Sequence, residues 1–237
     1  GRNGLYDWGI LREAQAGVPV ISIGNLSVGG TGKTPLAACI AQKLREHKRT
    51  AILSRGYGGA VERLKSPVEV SSGGGPLYPW AYCGDEQFLL ASNLPGVHLF
   101  AGRDRIAAAS MAVAKGAQVL VLDDGMQHRR LARDLEIVLI DGKMPLHGGG
   151  LLPFGTLREP LSGLRRADMV VVNHTGGKVP VELKKELKKY TKAKIVAASY
   201  KAVCLPGPPS LEGKRVAIFS AIAQPERFRQ TVESLGA

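Results

Sequence analysis

Aromatic residues make up only 5% of this 237-residue sequence, while glycine occurs 30 times. That balance argues against a β-sandwich packed on large rings and for an α/β protein with tight turns. Cysteine is scarce too: Cys39, Cys83 and Cys204 lie far apart, with no Cys-x-x-Cys or Cys/His ligand spacing. They imply neither a disulfide framework nor a structural zinc, and read as reduced bystanders in a cytosolic protein. No apolar run approaches the ~20 residues that a membrane-spanning helix needs. The opening Gly1-Arg2-Asn3-Gly4-Leu5-Tyr6 has no signal-peptide core. Membrane contact is therefore expected to be peripheral, or made by segments this chain lacks. Acidic residues are outnumbered, 20 against 32 basic ones, for a net charge of +12. The excess favours an anionic partner: nucleotide phosphates, nucleic acid or an anionic membrane surface. Part of it, Lys184-Lys185-Glu186-Leu187-Lys188-Lys189, fits equally well as the solvated face of an exposed helix.

What is present is a regular alternation. With 44% hydrophobic residues the chain can bury one large core or two modest ones. Short Val/Ile/Leu runs predict strands over residues 18–23, 50–54, 97–101, 118–122, 135–140, 169–172 and 194–198. Amphipathic stretches between them predict helices over 35–47, 86–93, 103–115 and 181–190. Continuous apolar strands alternating with helices imply right-handed βαβ crossovers in one doubly wound, mostly parallel sheet. The glycine-rich stretches 71–79 and 146–153 read as loops within that pattern. A core domain is expected over residues 1–204. Leu205-Pro206-Gly207-Pro208-Pro209 then breaks the pattern, and a strand over 216–219 and a helix over 225–235 begin a smaller C-terminal α/β lobe, 205–237. That lobe has no closing strand, so the chain is expected to be a piece of a longer protein.

The strongest chemical signal is Ser27-Val28-Gly29-Gly30-Thr31-Gly32-Lys33-Thr34, between a predicted strand and a predicted helix. This is the phosphate-binding P-loop pattern, with Ser27 where the first glycine of G-x-x-x-x-G-K-[ST] usually stands. Glycines let successive N–H groups wrap a phosphate, and the helix N-terminus adds partial positive charge. Lys33 then supplies a point charge to the β- and γ-phosphates of a nucleotide, and Thr34 a hydroxyl ligand for Mg²⁺. Val119-Leu120-Val121-Leu122-Asp123-Asp124 is an apolar strand ending in two carboxylates, the Walker B pattern, whose acidic end can reach the same ion. Asp-Asp-Gly also makes a good turn, and only the pairing with the P-loop favours the metal role.

A P-loop fixes the nucleotide and not the task. The stretch Val171-Val172-Asn173-His174-Thr175-Gly176 lacks the Lys and Asp of Asn-Lys-x-Asp, so guanine specificity is unsupported. A kinase needs a carboxylate to take the acceptor hydroxyl's proton, and Gly84-Asp85-Glu86 offers one at a helix start. Asp85 fits a second role there, as a cap, with Glu86 complementing the helix dipole. Gln127-His128-Arg129-Arg130 fits an anion-binding segment or a basic turn. Three classes are thereby in play: a small-molecule kinase, a nucleotide-dependent ATPase switch with a protein partner, and a basic nucleic-acid module. The last is disfavoured by the few aromatics available for stacking.

Asn25-Leu26 with the P-loop, Ser54-Arg55-Gly56-Tyr57, Gly84-Asp85-Glu86, Asp123-Asp124-Gly125-Met126-Gln127-His128-Arg129, and Leu151-Leu152-Pro153-Phe154-Gly155-Thr156-Leu157-Arg158-Glu159-Pro160 together resemble the signatures of the tetraacyldisaccharide 4′-kinase family. Arg2 to Asp7, Phe219 to Ile222 and Pro225 to Phe228 also fit. The resemblance implies transfer of the ATP γ-phosphoryl to the 4′-hydroxyl of tetraacyldisaccharide 1-phosphate, an anionic glycolipid, giving lipid IVA. The setting it implies is peripheral contact with the cytoplasmic face of the bacterial inner membrane, with ATP and Mg²⁺ required and no nucleic acid involved. By position, Asp85 is the base, with Lys33, Asp124, Glu159 and His128 around the reacting centre. Thr34, Asp123, Asp124 and Glu86 surround the metal. Gln127 maps to a polar position beside them, and Arg55, Arg103, Arg105, Arg129 and Arg158 are candidates for the substrate's 1-phosphate. Family members usually begin with an apolar anchoring helix and continue into a segment with an Asp-His-His motif. Both are expected to lie outside this chain.

Overall fold

The computed structural model describes residues 2–144, 146, 150–199, 211–220 and 225–236. Its centre is an eight-stranded sheet: β1 (Val20–Asn25), β2 (Thr50–Ser54), β3 (Val68–Ser72), β4 (His98–Ala101), β5 (Val119–Asp123), β6 (Leu135–Asp141), β7 (Met169–Asn173) and β8 (Lys194–Ala197). The spatial order is β3-β4-β2-β5-β1-β6-β7-β8. Only β3 runs antiparallel, against β4; every other neighbouring pair is parallel. The connecting helices are α1 (Arg2–Asp7), α2 (Lys33–Leu44), α3 (Trp80–Cys83), α4 (Asp85–Asn93), α5 (Arg105–Ala114), α6 (Val181–Leu187) and α7 (Pro225–Glu233).

Side-chain alternation explains why the strands read as unbroken apolar runs. Ile23, Ile52 and Val121 pack on one face with Ala37 and Ala41 of α2 and Leu90 of α4. Val20, Ala51, Leu53, Leu120 and Leu122 point the other way, onto Ala108, Ala109 and Ala112 of α5. On the far half, Val138, Ile140, Val170 and Val172 meet Leu161, Leu164 and Leu187. Both faces are covered, so neither side of a central strand can be polar. Strand β1 lies between β5 and β6, and the chain leaves it in one direction for β2 and returns in the other for β6. Strand order therefore reverses at β1, and a crevice opens outside the strands' C-terminal ends there, the position where open α/β sheets bind ligands.

Two elements differ from expectation. Strand β3 takes in Ser71 and Ser72, which read as the start of a loop. It is a polar edge strand with β4 as its single neighbour, so it lacks the continuous apolar signature. Residues 216–219, predicted as a strand, are irregular, with Val216 and Ile218 exposed and Phe219 at 93% exposure. An apolar run becomes a strand only where a neighbour takes its backbone hydrogen bonds, and among the described residues this one has none. Helix α7 forms where expected, and α6 presents the Lys184 to Lys189 run largely to solvent. The boundary expected at 204/205 falls outside the described residues, as does Cys204; Cys39 and Cys83 are free thiols.

Candidate active site at the reversal of strand order

The P-loop joins β1 to α2. Gly29 at φ 109 and Gly32 at φ 87 lie in the left-handed region that side-chain-bearing residues avoid. Helix α2 starts after Gly32 with no side-chain cap, the arrangement that lets first-turn N–H groups receive an anion. Two buried amides brace the loop from behind. Asn25 Nδ2 donates to Thr31 Oγ1 at 2.9 Å, and Asn173 Nδ2, at the end of β7, donates to the Thr31 carbonyl at 2.7 Å. From the side, Val28 N donates to the Thr156 carbonyl at 2.8 Å.

Next to the loop, β5 ends in its carboxylate pair. The Thr34 hydroxyl donates to Asp123 Oδ2 at 3.3 Å, while Asp123 Oδ1 is buried with no hydrogen-bond partner. Burial, then the neighbouring Glu86 and Asp124 charges, push the Asp123 carboxyl up to about 6. Asp124 stands at φ 55, an uncommon conformation for a non-glycine residue. Its carboxylate receives Arg158 Nη1 at 2.9 and 2.8 Å and lies 3.6 Å from Lys33 Nζ. Burial alone would raise it, but Lys33 and Arg158 hold it below the ordinary carboxylate value.

The opposite wall is the start of α4. Gly84 is required there: its φ is 93, and a Cβ would lie 2.4 Å from Gln87 Oε1 and 2.7 Å from the Tyr57 carbonyl. Gln87 Nε2 donates to Ser54 Oγ at 2.6 Å, fastening α4 to the end of β2. Asp85 is exposed, and its Oδ1 accepts from Glu86 N at 2.9 Å. Partial burial, and then the Asp85 charge, raise the Glu86 carboxyl; Lys33 opposes them.

Lys33, Thr34, Asp85, Glu86, Asp123 and Asp124 all line one open cleft of about 1790 Å³. That exceeds the ~300–1,000 Å³ of a site for one small molecule. Arg55, Arg103, Arg105, Arg158, Gln127 and His128 line it too, and α7 adds Phe228, Gln230 and Thr231, with Ser234 just beyond its end. Arg55 pairs with Glu62 at 3.0 Å. Arg105 is 4% exposed and donates to the Gly102 carbonyl; burial lowers its guanidinium to about 10, against the pull of Asp123 and Asp124.

Three expected residues are not brought to the cleft. Ser27 lines a separate small cavity with Leu26, Thr156 and Leu157. Glu159 is 5% exposed, and its carboxylate accepts from Gln127 Nε2 at 2.9 Å, Asn3 Nδ2 at 2.9 Å and Arg166 Nη2 at 2.7 Å. It holds Gln127, whose Nε2 also reaches the Asn25 carbonyl at 2.9 Å, and so stands behind a residue that lines the cleft. Arg129 is 8% exposed and donates to Asp7 Oδ1 at 2.7 Å and the Asn3 carbonyl at 3.0 Å, with its guanidinium over the Tyr6 ring. It ties α1 to the loop after β5 and does not line the cleft.

Comparison with known proteins agrees with this architecture. The family model for tetraacyldisaccharide-1-P 4′-kinase matches residues 1–237. The chain belongs to that family. It is 45% identical over 250 residues to the tetraacyldisaccharide 4′-kinase of Anaeromyxobacter sp. (strain K), and 46% identical over 252 residues to that of Anaeromyxobacter dehalogenans (strain 2CP-C). In both cases the whole of this chain is covered, and it spans 65% of the relative's length. Among solved structures it resembles the "apo" form of LpxK from Aquifex aeolicus in complex with ATP, with a TM-score of 0.67 and 35% identity over 90% of this chain and 81% of that one. The fold is thus the α/β fold of this kinase family.

Sequence reading did not assign Asn25 and Asn173 their bracing roles in this kinase-family fold. An Asn closing an apolar strand, as Asn173 closes β7, is the sequence signal for such a brace. His174, at φ 61, also lines the cleft and approaches Asp141 Oδ1 at 3.2 Å.

Proposed function

We propose that this chain carries the catalytic core of a kinase that transfers the γ-phosphoryl of ATP to the 4′-hydroxyl of tetraacyldisaccharide 1-phosphate. The observation that carries the reading is that Lys33, at the P-loop, and Asp85, across from it, line the same cleft at the reversal of strand order. The names of the relatives and the ATP in the Aquifex protein support it, and an acceptor-free switch has no such support.

The P-loop N–H groups and Lys33 hold the β- and γ-phosphates. Asp85 takes the proton of the 4′-hydroxyl as that oxygen bonds to the γ-phosphorus and the bond to the β–γ bridging oxygen breaks, releasing ADP. Lys33, paired with Asp124 in this structure, supplies its charge to the transferring phosphoryl group. The orphaned Asp123 Oδ1 beside the Thr34 hydroxyl fits a hard cation, with Asp124 and Glu86 close by. Mg²⁺ bound there would neutralise the β- and γ-oxygens. Among the described residues no three His, Cys, Asp or Glu side chains form a ligand cluster, which suits an ion that draws most ligands from phosphate and water.

Arg55, Arg103 and Arg158 are the cationic groups for the acceptor's 1-phosphate. Peripheral contact with the cytoplasmic face of the bacterial inner membrane belongs to the same proposal; no helix among the described residues is long and apolar enough to cross a membrane. The test is incubation of the full-length gene product with γ-labelled ATP, Mg²⁺ and tetraacyldisaccharide 1-phosphate. Label on the 4′-oxygen is expected. An unlabelled acceptor, with ATP binding intact, would overturn the proposal.

A further inference from the structure

The turn after Gly150 exposes three apolar side chains, one of which, Leu152, lines the cleft. Leu151 is 47% exposed, Leu152 49% and Phe154 92%. Such a cluster in four residues marks an interaction site more often than chance exposure. It is rigidly mounted. Leu152 N donates to the Leu157 carbonyl at 2.8 Å, Leu157 N to the Gly150 carbonyl at 3.0 Å, and Gly155 N to the Leu151 carbonyl at 3.0 Å. A Cβ at Gly155 would lie 2.3 Å from the Gly150 oxygen, so the turn is closed to its limit. A bridge between Ser27 and Leu157 and the Val28-to-Thr156 hydrogen bond fix this turn directly to the P-loop.

The ridge is also continuous with the site: Val28, 40% exposed, and Leu152 both line the cleft that holds Lys33 and Asp85. An acceptor seated with its hydroxyl at Asp85 and its phosphate among the arginines needs an apolar surface for the acyl chains that its class name specifies. We propose that Val28, Leu152 and Phe154 form the contact for one acyl chain of the acceptor, with Phe154 as the outer end. This inference rests on the acceptor assigned under Proposed function. It adds that the P-loop and the lipid contact are one rigid unit, so that gripping the chain sets the distance between hydroxyl and phosphate.

Phe154→Ser should fold, because the ring touches little else. Binding of tetraacyldisaccharide 1-phosphate dispersed in neutral detergent is measured by calorimetry for wild type, Phe154→Ser and Phe154→Leu, in parallel with the deacylated disaccharide 1-phosphate. Phe154→Ser should weaken binding of the acylated ligand about tenfold, the effect of withdrawing one ring from an apolar contact. Phe154→Leu should retain most of the affinity, and all three proteins should bind the deacylated ligand equally. In turnover the loss should fall on KM for the acylated acceptor, with KM for ATP unchanged. Equal binding by wild type and Phe154→Ser, or equal weakening toward both ligands, overturns the inference. So does a loss confined to anionic phosphatidylglycerol vesicles without acceptor, which would make the turn a bilayer contact. Absence of turnover in wild type rejects the kinase reading, and the binding comparison still decides the acyl contact.

Discussion

At the scale of single residues, Gly84 and Lys33 carry the sharpest consequences. Gly84 combines a left-handed φ with backbone closer than a Cβ tolerates. Gly84→Ala should cost about 1–3 kcal/mol of stability and shift the start of α4, read as a lowered thermal midpoint. Lys33 stands 3.6 Å from Asp124 and lines the cleft. Lys33→Ala should raise the dissociation constant for ATP roughly ten- to hundredfold, the range for losing a charged hydrogen bond of about 1.5–3 kcal/mol. Fluorescent-nucleotide titration checks it. Residues of this kind were legible in the sequence because their signal is local: Gly-Lys-Thr or Gly-Asp-Glu within a few positions of an element's end. Glu159 and Arg129 were not, because what decides their roles is remote in sequence. Arg129 is claimed by Asp7 at the other end of the domain, and Glu159 is enclosed by Asn3, Gln127 and Arg166.

At the scale of elements, the apolar runs announced seven of the eight strands, because burial on both faces forces continuous hydrophobicity. Strand β3 is half-exposed at an edge, and residues 216–219 find no strand neighbour among the described residues, so for both the outcome depends on pairing and not on composition. The same dependence on remote partners makes two elements testable. Asn173 joins β7 to the P-loop, and Asn173→Ala should destabilise the fold by about 1–3 kcal/mol, the cost of unpairing a buried polar group. Because the loop loses its brace, stabilisation by added ATP should shrink as well, measured as the thermal shift with and without nucleotide. Helix α1 is held by the Asp7–Arg129 pair, and the hydrogen bond from Arg129 keeps the Asp7 carboxyl below its ordinary 3.8. A depressed acid stabilises the fold above its ordinary value and loses that contribution as the pH falls through its lower folded value. Amide protection of α1 should therefore drop below about pH 4 in wild type. In Asp7→Asn it should already be reduced at neutral pH, as hydrogen exchange would show.

For the whole molecule, part of the basic excess lines the cleft, at Arg55, Arg103, Arg105 and Arg158, and part is solvated surface along α6. The sheet reversal at β1 gathers a P-loop, a Walker B pair and a facing carboxylate into one space, although these segments are spread over about half the chain. The central claim is that Lys33 and Asp85 act on the same bound pair of substrates from opposite sides of that space. The most direct measurement pairs phosphoryl transfer to tetraacyldisaccharide 1-phosphate with ATP affinity in the full-length Asp85→Asn protein. Transfer should fall by about 10²-fold or more with ATP affinity near wild type, as expected for removal of a general base. Wild-type transfer by Asp85→Asn, or a loss explained wholly by weakened ATP binding or unfolding, would contradict that claim.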